Sequence, residues 1–169
     1  MEVVAERGYV AATTAQIAER AGVSEMTLFR HFPTKESLVL DDPFDPLMAD
    51  AVRSRPEEES PMQALTRGIG SAWTQLDPAA VEALRERLKL IHRTRALQGA
   101  IERNSGRTRA ALAAALMDRG VSEAQAAVAA AAVIAGLSQA LLAWSTSDQD
   151  DQDELGEVVA AALGVLTDE

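Results

Sequence analysis

The sequence predicts an all-helical protein, and three observations support this prediction. Hydrophobic residues make up 47% of the 169 residues, and 33 residues are alanine, which has the highest helix propensity. Aromatic residues, which favour strands, make up only 4%. Apolar residues recur three and four positions apart in segments that helix-starting and helix-ending residues separate. A chain of this length is expected to form one compact domain, or one domain with a small appended module.

Composition excludes several classes of protein. The chain has no cysteine, which excludes disulfides and zinc–thiolate sites. Its two histidines, His31 and His92, lie 61 positions apart, and there is no phosphate-binding or nucleotide-binding glycine pattern. We therefore expect no enzyme activity, no cofactor and no metal site. Because no apolar run is expected to approach the roughly 18 residues that span a bilayer, we also expect no membrane partner and a cytoplasmic location.

The first third of the chain is predicted to form a series of short helices. Serine or threonine begins three of them, since its hydroxyl can accept a hydrogen bond from the backbone N–H groups of the first turn. Glycines end the first two, because glycine readily adopts the left-handed conformation that closes a helix. Pro43 and Pro46 interrupt the fourth, and we place the domain boundary there, between residues 1–42 and 43–169. The predicted helices cover residues 1–7, about 14–21, about 25–31, a segment starting at 35, and about 46–54.

The second domain is predicted to consist of longer helices. Ser60 and Asp77 each precede a proline, which is typical of a helix start. The last two helices carry apolar faces too broad for one neighbour to cover, which predicts a homodimer built as a four-helix bundle. The predicted bounds are about 60–75, 78–93, 94–119, 122–145 and 152–167, for about nine helices in the whole chain. The expected interface residues, or their near neighbours, are Ile134, Leu137, Leu141, Val159, Leu163 and Leu166.

Charge is segregated along the chain. The net charge is −10, but residues 1–40 carry only −1 and residues 85–109 carry +6, whereas residues 41–60 carry −5 and residues 148–169 carry −8. Three roles remain open for the basic segment: pairing with the acidic segments, recruiting an anionic effector, or supplying a positive field near nucleic acid. The acidic run 148–154 lacks the glycine and distal glutamate of an EF-hand loop, so it predicts no cation site.

The segment 14–31 predicts a helix-turn-helix. Gly22 permits the sharp reversal between two helices, Val23 is expected to fill the small core between them, and Ser24 begins the second helix. In DNA-binding proteins with this motif, the second helix lies in the major groove. The corner alone is only moderately specific, because helical bundles also contain it.

The wider string is more specific. Residues 8–24, GYVAATTAQIAERAGVS, and residues 27–38, TLFRHFPTKESL, resemble the TetR family of bacterial transcriptional regulators. This resemblance implies a three-helix amino-terminal domain that binds palindromic double-stranded DNA. It also implies a carboxy-terminal domain that dimerises and binds a small-molecule effector, which releases the repressor from DNA. Because the chain enters the family's first helix midway, the true start is expected upstream of Met1, or the DNA-binding head is shortened. The alternative function is a helical dimeric ligand-binding or interaction module that no longer binds DNA.

The resemblance also implies which residues contact DNA. Thr13 and Thr14 are expected to bind phosphate, and the exposed first turn of the third helix to reach base edges. The family usually has tyrosine where this chain has Phe29, so the phosphate contact of that hydroxyl is expected to be absent. The implied DNA-binding residues are Thr13, Thr14, Ser24, Glu25, Met26, Thr27, Phe29, Arg30, His31 and Lys35.

Three consecutive helices between residues 60 and 119 predict an effector cavity, because their apolar faces would meet in a bundle. Gly68, Gly70 and Ala72 are expected to leave room beside Trp73. Arg93 and Arg95 favour an effector with an apolar body and an anionic end. A fully packed core would fit the same apolar residues. The predicted effector-binding residues are Ile69, Trp73, Leu88, Ile91, His92, Arg95, Leu112 and Leu116.

Overall fold

The computed structural model describes residues 2–41, 45–147 and 155–167. Within these ranges the chain forms ten α-helices and no strand, which confirms the all-helical prediction. The helices are α1 Glu2–Arg7, α2 Thr14–Arg20, α3 Glu25–His31, α4 Ser37–Leu40, α5 Asp45–Arg53, α6 Pro61–Trp73, α7 Pro78–Arg93, α8 Arg95–Asp118, α9 Glu123–Thr146 and α10 Leu155–Gly164. The acidic run 148–154 and the Pro43 interruption lie outside the described residues.

Local sequence signals account for most of the helix ends. The capping boxes at Thr13 and Ser60 are both formed, and the Asp77 carboxylate accepts from the backbone N–H of Ala80 at 2.7 Å. Gly22 and Gly120 close α2 and α8 with positive φ angles of 68° and 85°. Thr94 and Ser122, in contrast, precede α8 and α9 without a side-chain cap to the backbone.

The main hydrophobic core is built by α5 to α10, with α9 in contact with α6, α7, α8 and α10. This helix overturns the expectation that no apolar run reaches membrane-spanning length. Its 24 residues are long and apolar enough to cross a bilayer by length and composition. The expectation was wrong because α9 is rich in alanine and carries a single charge, so its mean hydropathy is high even though it has few large apolar residues. Its Val133, Leu137 and Trp144 side chains are buried against the neighbouring helices.

Close packing of α5 against α6 corrects another expectation. A Cβ atom on Gly68 would lie 3.0 Å from the backbone N and Cα of Val52, so this glycine brings the two helices into near contact. The small residue therefore permits close helix packing and does not open space for a ligand beside Trp73. The Trp73 indole is itself buried, and its Nε1 lies 3.3 Å from the sulfur of Met48.

A cluster of ionic and backbone hydrogen bonds fixes the loop between α5 and α6. Arg119, at the end of α8, donates to the backbone carbonyl oxygens of Arg55, Pro56 and Glu59. Arg55 and Arg67 both bind the Glu59 carboxylate, at 2.5 and 2.9 Å. The hydrogen bond from Arg55, followed by that from Arg67, lowers the Glu59 pKa to about 2 against the opposing effect of desolvation.

The six residues expected at a dimer interface are instead part of the chain's own core. Ile134, Leu137, Val159 and Leu163 are buried, while Leu141 and Leu166 are partly buried against the same cluster. These apolar faces were expected to need a second chain, but within the chain α9 packs against α6, α7, α8 and α10, and α10 packs against α6 and α9. Two large apolar residues are strongly exposed in this region: Val128 of α9, which is 70% exposed, and Val165, directly after the end of α10, which is 77% exposed.

The α1–α4 region has only small hydrophobic clusters, and each includes residues from the larger region. Val3, Val4 and Ala12 pack with Leu90 of α7. Val39 and Leu40 of α4 pack with Ile91 of α7 and Leu97 of α8. These shared clusters hold the helix-turn-helix against the ends of α7 and α8.

Candidate nucleic-acid interface and internal cavity

The corner between α2 and α3 has the geometry that the glycine predicted. Gly22 donates its N–H to the Glu19 carbonyl oxygen at 3.1 Å, and Val23 donates to the Ala18 carbonyl oxygen at 3.0 Å, which is a Schellman ending. The Val23 side chain is 40% exposed, so it does not fill the small core as expected. Its backbone N–H closes the turn. Leu28 is the buried residue of α3.

Most of the sequence-predicted DNA-contact residues share one exposed region. Met26 is 83% exposed and Phe29 is 42% exposed, whereas Thr27 and Thr14 are half-buried. Arg30 makes no ion pair within the described part of the chain, so its guanidinium remains available to an anion. The other exposed members of the predicted set are Thr13, Ser24, Glu25 and His31.

Hydrogen bonds in this region fix several of these side chains. Thr13 accepts from the backbone N–H of Gln16 at 3.2 Å, so its hydroxyl oxygen caps α2. Ser24 accepts from the backbone N–H of Thr27 at 3.1 Å. The hydroxyl of Thr14 donates to Oε1 of Glu25 at 2.7 Å and joins the start of α2 to the start of α3. The sequence motif gave no signal for this last bond.

Two basic residues of the α1–α4 region are already engaged. Arg20 binds Glu2 and Glu6 at 3.2 and 3.1 Å, and its hydrogen bond to Glu6 raises the pKa of Arg20 and lowers that of Glu6. The Lys35 ammonium lies 4.6 Å from the centroid of the Tyr9 ring and donates to the Val10 carbonyl oxygen at 3.4 Å. Arg20 therefore ties α2 to α1, while Lys35 lies over the loop between them.

A cavity of about 130 Å³ opens between α4, α5 and the α6–α9 bundle. Its walls are mainly apolar, with four polar side chains from α7, α8 and α9. The residues that line it are Leu40, Met48, Trp73, Leu84, Arg87, Leu88, Ile91, Ser105, Thr108, Ile134, Leu137, Ser138, Leu141 and Leu142.

Three of the eight residues predicted to bind an effector line this cavity, namely Trp73, Leu88 and Ile91. Ile69, Leu112 and Leu116 are fully buried in the main core, because their faces meet other helices of the bundle. His92 and Arg95 are exposed at the junction of α7 and α8 and do not line it. The cavity thus lies beside the predicted site, on the side that faces α9 and α4.

The polar residues of the cavity were missed by the sequence argument. Arg87 occurs within the apolar stripe of α7, three residues after Leu84 and four before Ile91. Ser105 and Thr108 are three residues apart on α8. A charge inside an apolar stripe and two hydroxyls at helical spacing were the signals available. Neither signal indicates which helices face each other.

The cavity adjoins the end of α4. Leu40 forms part of its wall, and Arg87 donates to the backbone carbonyl oxygen of Asp41 at 3.3 Å. Arg107 of α8 binds the Asp41 carboxylate at 2.9 Å. Part of the basic segment therefore pairs with the acidic segment that starts at Asp41, as one of the three open roles predicted. Arg85 instead stacks on the buried Trp144 ring at 4.3 Å.

No group of three or more histidine or acidic side chains that could hold a metal ion occurs in the residues the structure describes. The features with a recognisable binding geometry in these ranges are the exposed α2–α3 surface and the cavity.

Comparison with known proteins gives family matches to both parts of the chain. Residues 1–41 match a family model described as bacterial regulatory proteins, tetR family, and residues 59–169 match a model described as an MftR C-terminal domain. The chain is 29% identical over 126 residues to the HTH-type transcriptional regulator TcmR of Streptomyces glaucescens, covering 70% of this chain and 56% of that protein. It is 51% identical over 39 residues to the uncharacterized HTH-type transcriptional regulator YvkB of Bacillus subtilis (strain 168), covering 23% and 21%.

The chain therefore spans just over half of one curated relative and about a fifth of the other. Among solved structures, the crystal structure of a transcriptional regulator from Rhodococcus sp. Rha1 matches 98% of this chain and 90% of that one. The TM-score is 0.51 and the sequence identity is 22%. This likeness supports the fold.

Proposed function

We propose, since the chain belongs to the tetR family of bacterial regulatory proteins, that it is a homodimeric, sequence-specific DNA-binding repressor. A small molecule in the internal cavity releases it from a palindromic site in the cytoplasm. The α1–α4 region is the reading head, covering residues 1–42, and residues 43–169 bind the effector and dimerise.

The observation that carries this proposal is the position of α4. This helix is the last of the head, yet its Leu40 forms part of the cavity wall and its following residue, Asp41, contacts Arg87 and Arg107. A ligand that widens the cavity would push on α4 and change the spacing of two heads in a dimer. Tenfold release requires the ligand to favour the free form by only about 1.4 kcal/mol.

The chemistry of the cavity favours an effector with an apolar body and an anionic end. Arg87 and the hydroxyls of Ser105 and Thr108 supply donors in a wall that is otherwise mostly apolar. Arg87 replaces Arg93 and Arg95 in this role, because the latter two are exposed at the α7–α8 junction. A cavity of 130 Å³ is below the roughly 300–1,000 Å³ usual for ligand sites, so a large effector must widen it.

Thermal melting tests the effector site. Matched aliphatic carboxylic acids, their methyl esters and the corresponding amines are titrated against the wild type, Arg87→Gln and the double variant Arg93→Gln/Arg95→Gln. We expect an acid to raise the Tm of the wild type with the logarithm of its concentration once that exceeds Kd. The added stability is about 2.7 kcal/mol at 100 times Kd. Arg87→Gln should remove the advantage of acid over ester, and the double variant should keep it. Equal shifts for acid and ester, or larger shifts for the amine, would contradict the anionic end.

Binding to operator-like DNA tests the reading head. Two-fold symmetry predicts palindromic sites whose half-sites are one helical turn, or a multiple of it, apart. Lys35→Gln should weaken binding to all sequences alike. It should also reduce the slope of log affinity against log salt concentration by about one, as expected for the loss of one phosphate contact. Lys89→Gln, which changes the other lysine of the chain and its ion pair with Glu86, is the matched control. Failure of the wild type to bind any duplex at low salt would favour the ligand-binding module without DNA binding.

Light scattering tests the dimer. The proposed contact surface is formed by exposed residues of α9 and of the turn after α10, including Val128, Ala135 and Val165, in place of the six residues of the chain's own core. The wild type should have twice the 18.0 kDa mass of the chain. Ala135→Arg should shift it towards the monomer, whereas Ala110→Arg on the exposed side of α8 should not. A wild-type monomer at micromolar concentration would contradict the proposal.

A further inference from the structure

Glu25 places a carboxylate on the surface of α3 that the proposed function turns toward DNA. Its side chain is exposed, and the Thr14 hydroxyl donates to its Oε1 atom at 2.7 Å. Phosphate repels a carboxylate, so this charge lowers general affinity for any duplex. A carboxylate at this position favours binding only where the DNA offers a hydrogen-bond donor to it.

The bond from Thr14 determines what each partner can do. A threonine hydroxyl has one proton, and here that proton is donated to a carboxylate at a distance typical of a charge-assisted bond. The same proton cannot be given to a phosphate at the same time. The second carboxylate oxygen of Glu25, Oε2, accepts no hydrogen bond from the residues 2–41, 45–147 and 155–167, so it remains available.

The neighbouring side chains of the first turn of α3 offer no equivalent group. Met26 is 83% exposed and apolar, so its natural contact in the major groove is a thymine methyl group. The Thr27 hydroxyl shares a hydrogen bond of 3.0 Å with the Ser24 hydroxyl. Glu25 is therefore the strong acceptor of this turn.

The major groove presents two donors, the N4 amino group of cytosine and the N6 amino group of adenine. Adenine places its N7 acceptor beside N6, which repels a carboxylate. Guanine presents two acceptors, and thymine an acceptor and a methyl group. We propose that Glu25, held in position by Thr14, selects a C·G base pair in each half-site. Thr14 is then a positioning residue and not a phosphate ligand through its hydroxyl. This inference rests on the proposed DNA-binding function.

The proposal is tested with the full chain in two steps. A preferred site is first selected from a random palindromic duplex library, and binding to that site and its single-base variants is then measured by fluorescence anisotropy. The variants are Glu25→Gln, Thr14→Val and Thr14→Ser, with Glu19→Gln as a control that removes one exposed carboxylate from α2. We expect the wild type to lose at least about fivefold in affinity when the selected cytosine is replaced. Glu25→Gln should shift the preference at that pair towards adenine, which glutamine binds through N6 and N7. Glu19→Gln should keep cytosine.

The threonine variants separate positioning from phosphate binding. Thr14→Val should relax the preference at the same base pair alone, and Thr14→Ser should retain it. The proposal is overturned if Glu25→Gln tightens binding to all sequences equally and leaves every base preference unchanged. It is also overturned if Thr14→Val weakens binding to all sequences alike and lowers the slope of log affinity against log salt concentration by about one, because that is the effect of losing a phosphate contact. Absence of any specific binding by the wild type would instead reject the proposed function itself.

Discussion

The α1–α4 head and the α5–α10 body differ in how their cores are completed. The body has one continuous core drawn from all six of its described helices. The head has two small clusters, and Leu90, Ile91 and Leu97 from α7 and α8 belong to them. The hydrophobic core of the head therefore depends on the body, whereas the main core of the body contains no head residue. This asymmetry means that the attachment of the head can be altered without dismantling the body.

The largest effect is expected from Leu65→Ala in the body. Leu65 is fully buried in the main core, so its truncation removes apolar contacts and leaves a cavity. We expect a loss of about 3–5 kcal/mol in the free energy of unfolding. Urea denaturation followed by circular dichroism measures it. A loss below 1 kcal/mol would show that the body repacks easily and would remove the contrast with the head.

A smaller and more local effect is expected from Leu97→Ala. Leu97 is also fully buried, but its cluster joins α8 to α4. We expect about 2–3 kcal/mol of destabilisation, with faster hydrogen exchange in α1–α4 than in α9. Leu65→Ala is the control, because it should accelerate exchange throughout the body. Equal acceleration in head and body by Leu97→Ala would mean that the two regions unfold as one unit.

Gly68→Ala tests how rigid the body is at a single helix contact. The added Cβ would lie 3.0 Å from the backbone of Val52, so α5 and α6 must separate, at a cost of about 1–3 kcal/mol. Gly70→Ala, two residues away, meets only a Leu163 methyl at 3.9 Å and should stabilise the helix by about 0.5–1 kcal/mol. Thermal melting of the pair gives the comparison. Similar shifts for both variants would be inconsistent with close packing at Gly68.

The smallest effect is expected in the dependence of folding stability on acidic pH. The lowered pKa of Glu59, about 2, stabilises the folded body above the ordinary carboxyl value of 4.5, and this contribution is lost as pH falls from 4.5 towards 2. Glu59→Gln should therefore flatten the dependence of Tm on pH across that window. Glu6→Gln in the head, whose side chain is 53% exposed against 9% for Glu59, should change the profile less. A profile that is unchanged by Glu59→Gln would show that solvent screens the cluster.

The sequence was most informative where structure is determined locally. Thr13, Ser60 and Gly22 mark helix ends through hydrogen bonds that span only a few residues, so the helix order and the helix-turn-helix were predictable. The apolar stripe of α7 likewise led to Leu88 and Ile91 in the cavity wall.

The sequence was least informative where helices meet across long distances in the chain. Ile69 and Trp73 are four residues apart on α6, yet Ile69 is in the packed core and Trp73 lines the cavity. The approach of Val52 to Gly68 and the bond from Thr14 to Glu25 also depend on relative helix positions. Helical periodicity gives the face of a residue but not the partner of that face.

The hydrogen bonds from Arg119 to the loop between α5 and α6 constrain which insertions and deletions this chain can tolerate. Loops are ordinarily the segments in which related proteins gain and lose residues. The loop between α5 and α6 presents three backbone carbonyl oxygens to one guanidinium, whose Nε atom is buried without a hydrogen-bond partner among the described residues. A change in loop length would misplace these carbonyls and leave more of the guanidinium unsatisfied. Relatives that keep an arginine at this position should therefore keep the length of the loop.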